Sequence, residues 1–229
     1  AKSLWGTSPD NLYAVGMINF GYDTAVLHWD GSTWENVLGE HGRMDSLDLV
    51  WGTGTDDIYV AYNRQYDAMI YHWDGADWSL AQNIDLEHIY GIWGTGPDNI
   101  YVCDNNRVLR WDGSLWSIFY ENEQWSFRDI WGFAEDDFYV RRGDGMIEKF
   151  NGAAWADWLQ LPISNMNSMM YFSAQSIFTV SNNGKINRMD GTEWHLDHRN
   201  IIGATKSDSL ISPDGRVYAM ASNGKFHFF

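Results

Sequence analysis

Residues 92–116 run IWGTGPDNIYVCDNNRVLRWDGSLW. The stretch holds the end of one apolar run, a break rich in Gly, Pro and Asp, and a second run at Ile100–Cys103. A polar break at Asp104-Asn105-Asn106, a third run at Val108–Trp111 and an Asp-Gly pair before Leu115 follow. Short runs rich in Trp, Tyr, Ile and Val, bounded by turn formers, are strands. Asp112-Gly113 between two of them is a hairpin signal, because both residues tolerate the positive φ of a tight turn.

The same order of runs and breaks recurs along the chain, and internal periodicity outranks other sequence signals. Trp-Gly stands at Trp5, Trp51, Trp93 and Trp131, and Tyr171 and Leu210 take the next two places, in steps of 46, 42, 38, 40 and 39 residues. A second landmark begins at Trp29, Trp73, Trp111, Phe150 and Met189 (WDGSTW, WDGADW, WDGSLW, FNGAAW, MDGTEW) and keeps steps of 44, 38, 39 and 39. Four short strands in a unit of roughly 40 residues make a β-propeller blade. The expected fold is all-β, a six-bladed propeller in one domain closed by contact between its first and last blades. The blades fall near 1–38, 45–82, 85–120, 125–160, 165–198 and 200–229. The sixth copy stops where its Asp-Gly turn would begin, which predicts a last blade without its outer strand.

The run WGTGPDNIYV followed by WDGSLW resembles the Trp-rich propeller repeats of bacterial and phage surface or secreted proteins. It is more distantly similar to the Asp-box repeats of sialidase-type propellers and to photosystem assembly-factor-like propellers. The resemblance covers nearly the whole chain and implies the fold. It departs from a true Asp box, which wants Ser-x-Asp-x-Gly-x-x-Trp. At Trp73-Asp74-Gly75-Ala76-Asp77-Trp78 no Ser stands two before the Asp and no residue separates Asp from Gly, so sialidase activity does not carry over.

Hydrophobic content of 45% and aromatic content of 16% are ample for a packed core. No apolar run approaches the ~20 residues of a membrane helix, so membrane insertion is not expected. Lys and Arg total 15 against 31 Asp and Glu, a net charge of −16, which argues against a nucleic-acid partner. Such a charge also keeps an exposed β surface from associating. Cys103 is the single cysteine and forms no intrachain disulfide. The chain opens at Ala1 without Met, consistent with removal of a leader, and an extracellular, cell-surface or virion location is favoured.

Twelve of the 14 tryptophans sit at repeat positions and are expected to pack between sheets; Trp125 and Trp158 are the exceptions. The turns between first and second strands (GTSPDN, GTGTDD, GTGPDN, GFAEDD) nearly repeat, as do the Asp-Gly turns, and their Asp and Asn residues are expected to cap turn N–H groups. The loops at the other end differ from blade to blade, and function concentrates on variable loops over a repeated scaffold. The first strand begins at that variable end. Three residues before the Trp position stand Lys2, Asp48, Tyr90 and Arg128, and His88 lies two residues before Tyr90. These are expected to face a common funnel, as a ligand site or as a wet channel with paired charges such as Asp48 with Arg128. Around it the loops offer Arg64, Tyr66, Asn105, Trp125 and Arg141.

No HExxH, GxSxG, GxGxxG or Walker sequence occurs, and no Cys/His cluster has metal spacing, so neither metal nor cofactor is expected. A glycosidase needs two facing carboxylates, and of Asp48, Asp85 and Glu87 nothing ties two together. Arg142-Gly143-Asp144 is an integrin-type triplet, read as chance in a turn. The expected function is a non-enzymatic binding module. A glycan is its first candidate ligand, because exposed rings with Asn, Asp and Arg suit sugars. The alternatives are a protein-docking part of a virion or surface assembly and, third, a glycoside hydrolase.

Overall fold

A computed structural model of the chain describes residues 2–18, 23–38, 46–65, 67–81, 85–161, 166–173, 176–181, 186–191, 193–198, 209–211, 217–220 and 226–228. Every element described is a β-strand, and the fold is an all-β propeller. Blade one holds β1 (Ser3–Ser8), β2 (Asn11–Ile18), β3 (Asp23–Trp29) and β4 (Trp34–Asn36). Blade two holds β5 (Ser46–Gly54), β6 (Asp57–Asn63), β7 (Ala68–Trp73) and β8 (Trp78–Ala81). Blade three holds β9 (Ile89–Gly96), β10 (Asn99–Asp104), β11 (Arg107–Trp111) and β12 (Trp116–Glu121). Blade four holds β13 (Phe127–Ala134), β14 (Asp137–Arg142), β15 (Met146–Phe150) and β16 (Trp155–Gln160). The fifth sheet is β17 (Met166–Ser173), β18 (Ser176–Ser181), β19 (Ile186–Met189) and β20 (Trp194–His198). The sixth is three-stranded: β21 (Ser209–Ile211), β22 (Val217–Met220) and β23 (Phe226–Phe228). Each sheet runs in chain order as an antiparallel meander. Contacts divide the chain into two compact units, Ala1–Gln160 with the first four blades and Leu161–Phe229 with the last two sheets.

The landmark residues hold their positions for identifiable reasons. The two tryptophans of each Asp-Gly hairpin are cross-strand partners, Trp29 with Trp34, Trp73 with Trp78 and Trp111 with Trp116, with ring centroids 5.6–5.7 Å apart. The turn Asp accepts backbone N–H bonds: Asp112 Oδ1 from Ser114 and Leu115, both at 2.9 Å. Asp30, Asp74 and Asn151 do the same, so the expected capping role is what these residues perform. Gly113 has φ +90° there.

The glycine of Trp-Gly answers a different demand. A Cβ at Gly94 would lie 2.5 Å from the Asn99 carbonyl and 2.9 Å from the Trp51 ring. The same contact joins Gly52 to Trp5 and Gly132 to Trp93. In blades one to three the indole's six-membered ring edge thus reaches the next blade's glycine, where the paired strand of that glycine's own blade also leaves no room for a Cβ. Core clusters between neighbouring blades complete the packing, with Tyr101, Phe127, Trp131, Phe138 and Tyr139 almost wholly buried.

In β17 the register differs from the sequence reading. Phe178 of β18 occupies the place of Tyr101 and Tyr139, and it pairs with Met170, not Tyr171. Tyr171 pairs with Ile177, as Gly94 pairs with Ile100 and Gly132 with Phe138. Met170-Tyr171 therefore takes the place of Trp-Gly. An aromatic one position too late drew the sequence alignment off by one.

Candidate functional site at the bulged ends of the inner strands

The residue three places before the Trp position is skipped by the strand ladder in blades two, three and four, and the same register shift falls between Met166 and Ser168 in the fifth sheet. Leu47 and Leu49 pair with Tyr62 and Ala61, Ile89 and Gly91 with Asp104 and Cys103, and Phe127 and Asp129 with Arg142 and Arg141. Asp48, Tyr90 and Arg128 are therefore bulge residues. A bulge turns a side chain out of the sheet's alternation and recurs beside functional sites. Alternation alone placed these residues on one face; the bulges are what deliver them to the shared strand end.

Two groups form there. The Arg128 guanidinium lies 4.4 Å from the Tyr90 ring centroid, within cation–π reach, and the His88 ring lies 4.5 Å from the same ring. Arg141 Nη2 donates to the Arg128 carbonyl at 3.2 Å, which brings Arg141 beside them. In the second group Asp48 accepts from Lys2 Nζ and, at 2.9 Å, from Asn63 Nδ2. The expected pairing of Asp48 with Arg128 is thus replaced by neighbours: blade one and its own blade satisfy Asp48, and the adjacent blade's ring takes up Arg128. Asn63 was missed by the sequence reading. It is buried, and its amide also exchanges two bonds with the Ile89 backbone, at 2.8 and 3.0 Å, across the blade boundary.

Behind this end lies Asp129, which accepts from Ile130 N at 3.0 Å. The residue keeps partial exposure, yet its carboxyl is surrounded densely enough that burial pushes its pKa up to about 6, against the opposing pull of Arg141. Burial likewise pushes the Cys103 thiol well up, so it is a packing residue and not a nucleophile.

The rim residues are spread out. Arg64 is exposed, 3.7 Å from the Asp67 carboxylate and 5.7 Å from the Tyr62 ring centroid. Asn105 sits at φ +45° and is built into its turn: its amide donates to Glu87 Oε2 at 2.6 Å and its carbonyl accepts from Phe127 N. Trp125 is 39% exposed, with the Arg142 guanidinium 4.8 Å from its ring centroid. Trp158 packs on Tyr139 at 4.9 Å between centroids. Tyr66 lies outside the described residues.

The Arg142-Gly143-Asp144 triplet is folded onto itself. Arg142 is buried and forks onto Asp144 at 2.5 and 3.1 Å, while its Nη1 reaches Glu148 and Asp157, each at 3.1 Å. Glu148 also accepts from Tyr120 and Asn122, at 2.8 and 3.1 Å. An arginine and an aspartate spent on each other do not reach outward as an integrin ligand must.

No family model matches the chain, and no curated protein matches it. Solved structures do. A structure titled YCF48 bound to D1 peptide aligns at TM-score 0.67 and 14% identity, over 99% of this chain and 76% of that one. The WD40 β-propeller domain of Doa1 aligns at 0.72 and 10%, over 99% and 77%. The computationally designed Ika8 protein aligns at 0.60 and 13%, over 100% and 70%. At such identities the likeness is one of fold, and the fold is the propeller.

Proposed function

We propose that this chain is a non-enzymatic binding propeller that takes a peptide segment of a protein partner at the bulged ends of its inner strands. The observation that carries the reading is that three successive bulges deliver three different chemistries, Asp48, Tyr90 and Arg128, to one strand end. Arg128 and Arg141 suit backbone carbonyls or a carboxylate, the ring of Tyr90 suits an apolar side chain, and Asp48 with Lys2 suits a polar one. A likeness to a propeller solved with a peptide supports this ligand class.

A carbohydrate ligand is the second reading, and Trp125 favours it: a partly exposed indole on a polar loop is a surface on which a sugar ring stacks. Peptide and glycan arrays probed with the same protein separate the two. Peptide capture should fall about tenfold for Tyr90→Ala, the equivalent of ~1.4 kcal/mol, with the melting temperature recorded alongside. Capture of glycans alone, lost in Trp125→Ala and kept in Tyr90→Ala, replaces the peptide reading with the carbohydrate one.

A further inference from the structure

At the other end of the sheets, where the turns repeat, the second-strand tyrosine that pairs with the Trp position in blades one to four faces a basic residue of the third strand. Tyr13 faces His28, Tyr59 faces His72, Tyr101 faces Arg110 and Tyr139 faces Lys149. The basic group lies against the ring: His28 and His72 stack at 4.4 and 4.3 Å, and Arg110 and Lys149 sit 5.8 and 5.3 Å from the centroid. Each also bonds to the residue that opens the second strand, Asn11, Asp57, Asn99 or Asp137, at 2.7–2.8 Å.

Between blades three and four this arrangement is closed. Arg110 Nη2 crosses to Glu135 Oε1 at 3.3 Å, and Phe119 and Phe138 fill the space beside Tyr101, at 5.2 and 4.7 Å between centroids. Between blades two and three every one of these places holds a shorter side chain: His72 for Arg110, Pro97 for Glu135, Ala81 for Phe119 and Ile100 for Phe138. The space left is a cleft of about 260 Å³, walled by Asp57, His72, Asp98, Trp111 and Trp116. An opening with the same design lies between blades one and two, where His28 and Asp56 face Trp73.

We propose that the cleft between blades two and three is a receptor for an arginine side chain presented by a protein partner, which supplies from outside the bridge that Arg110 makes from within. Two carboxylates, Asp57 and Asp98, match the donors of a guanidinium, and the Trp111 indole offers a face on which its plane lies. Both charges act at the cleft: the Tyr59 hydroxyl is pushed well above its usual range by burial first and then by Asp57 and Asp98. The net charge of −16 raises the local concentration of cationic partners. This site lies at the end of the sheets opposite to the peptide site proposed above and does not depend on it.

The test follows tryptophan indole N–H signals by NMR, assigned with Trp111→Phe and Trp116→Phe, during titration with acetyl-Gly-Arg-Gly-amide. The control peptide carries citrulline, which keeps the shape and loses the charge. The arginine peptide should shift the Trp111 and Trp116 signals saturably and the citrulline peptide should not. His72→Arg with Pro97→Glu rebuilds the internal bridge, and Ala81→Phe restores the filler; each should weaken binding at least tenfold. Tyr90→Ala should leave the arginine response unchanged while it damages the peptide site. An equal response to citrulline, no response to arginine, or unaltered binding in both filled variants overturns the proposal. So does a response of the same signals to neutral monosaccharides without one to the arginine peptide, which makes the cleft a sugar site.

Discussion

Gly94 and Gly96 are two residues apart in one strand and carry opposite expectations. A methyl group at Gly94 would collide with the Asn99 carbonyl and with the Trp51 ring of the preceding blade, both held by the packed boundary. A methyl group at Gly96 would meet nothing within 4 Å. Gly94→Ala should therefore destabilise by about 1–3 kcal/mol through overpacking. Gly96→Ala should be neutral or stabilising by about 0.4–1 kcal/mol, because it restricts only the unfolded chain. Urea unfolding of the two variants decides it, and equal effects would remove the argument that the glycine of Trp-Gly is dictated by the neighbouring indole. At this scale the sequence was legible wherever one residue type met one local demand, as with the Asp of each Asp-Gly turn. The partner of Gly94 was not legible, because Trp51 lies a whole repeat away.

Elements were legible where landmarks repeat and illegible where backbone irregularity decides. In the third unit the runs read at Ile100–Cys103 and Val108–Trp111 are the strands Asn99–Asp104 and Arg107–Trp111, flanked by Ile89–Gly96 and Trp116–Glu121. The bulges that redirect Asp48, Tyr90 and Arg128 leave no mark in composition, since a skipped residue still alternates on paper. The Arg142 network escaped for a related reason: it joins the β14–β15 hairpin to β16 and to Tyr120 of β12, elements that no local pattern connects. Asp144, first among the groups around it, strengthens the protonated form of this arginine, and Arg142 in turn holds the Asp144 carboxyl below its usual range. Arg142→Leu strands the Glu148 carboxylate, whose side chain is only 4% exposed, and should cost about 3–5 kcal/mol. Adding Glu148→Leu should recover part of that loss, because it removes the stranded charge while taking the acceptor from Tyr120 and Asn122. Unfolding free energies of the single and double variants test this, and additive losses would mean that packing, not charge burial, holds the hairpin.

Across the whole molecule, negative charge outnumbers positive by 16. Several of these charges are locked in by their own turns. The Asp30 carboxyl is held down to about 2, chiefly by the backbone N–H of Thr33, with the Ser32 hydroxyl and backbone N–H adding to it. Asp74 and Asp112 are lowered in the same way, so this part of the charge persists into mild acid. At neutral pH these charges are fully present, and the compact state bears their mutual repulsion. Opposing this are ion pairs such as Lys2–Asp48 and Arg110–Glu135, which are partly exposed and each worth about 0–1 kcal/mol. Salt screens both, but a few pairs are outweighed by repulsion summed over the surface. Raising sodium chloride from about 0.02 M to about 0.5 M shortens the screening length severalfold. The melting temperature should rise by about 2–4 °C for each kcal/mol of repulsion removed, the scale set by the chain's size. A fall on adding salt would show that the pairs, and not the excess charge, dominate the electrostatics of the fold. The same salt should weaken capture of an arginine peptide at the cleft, so stability and binding would move in opposite directions along one titration.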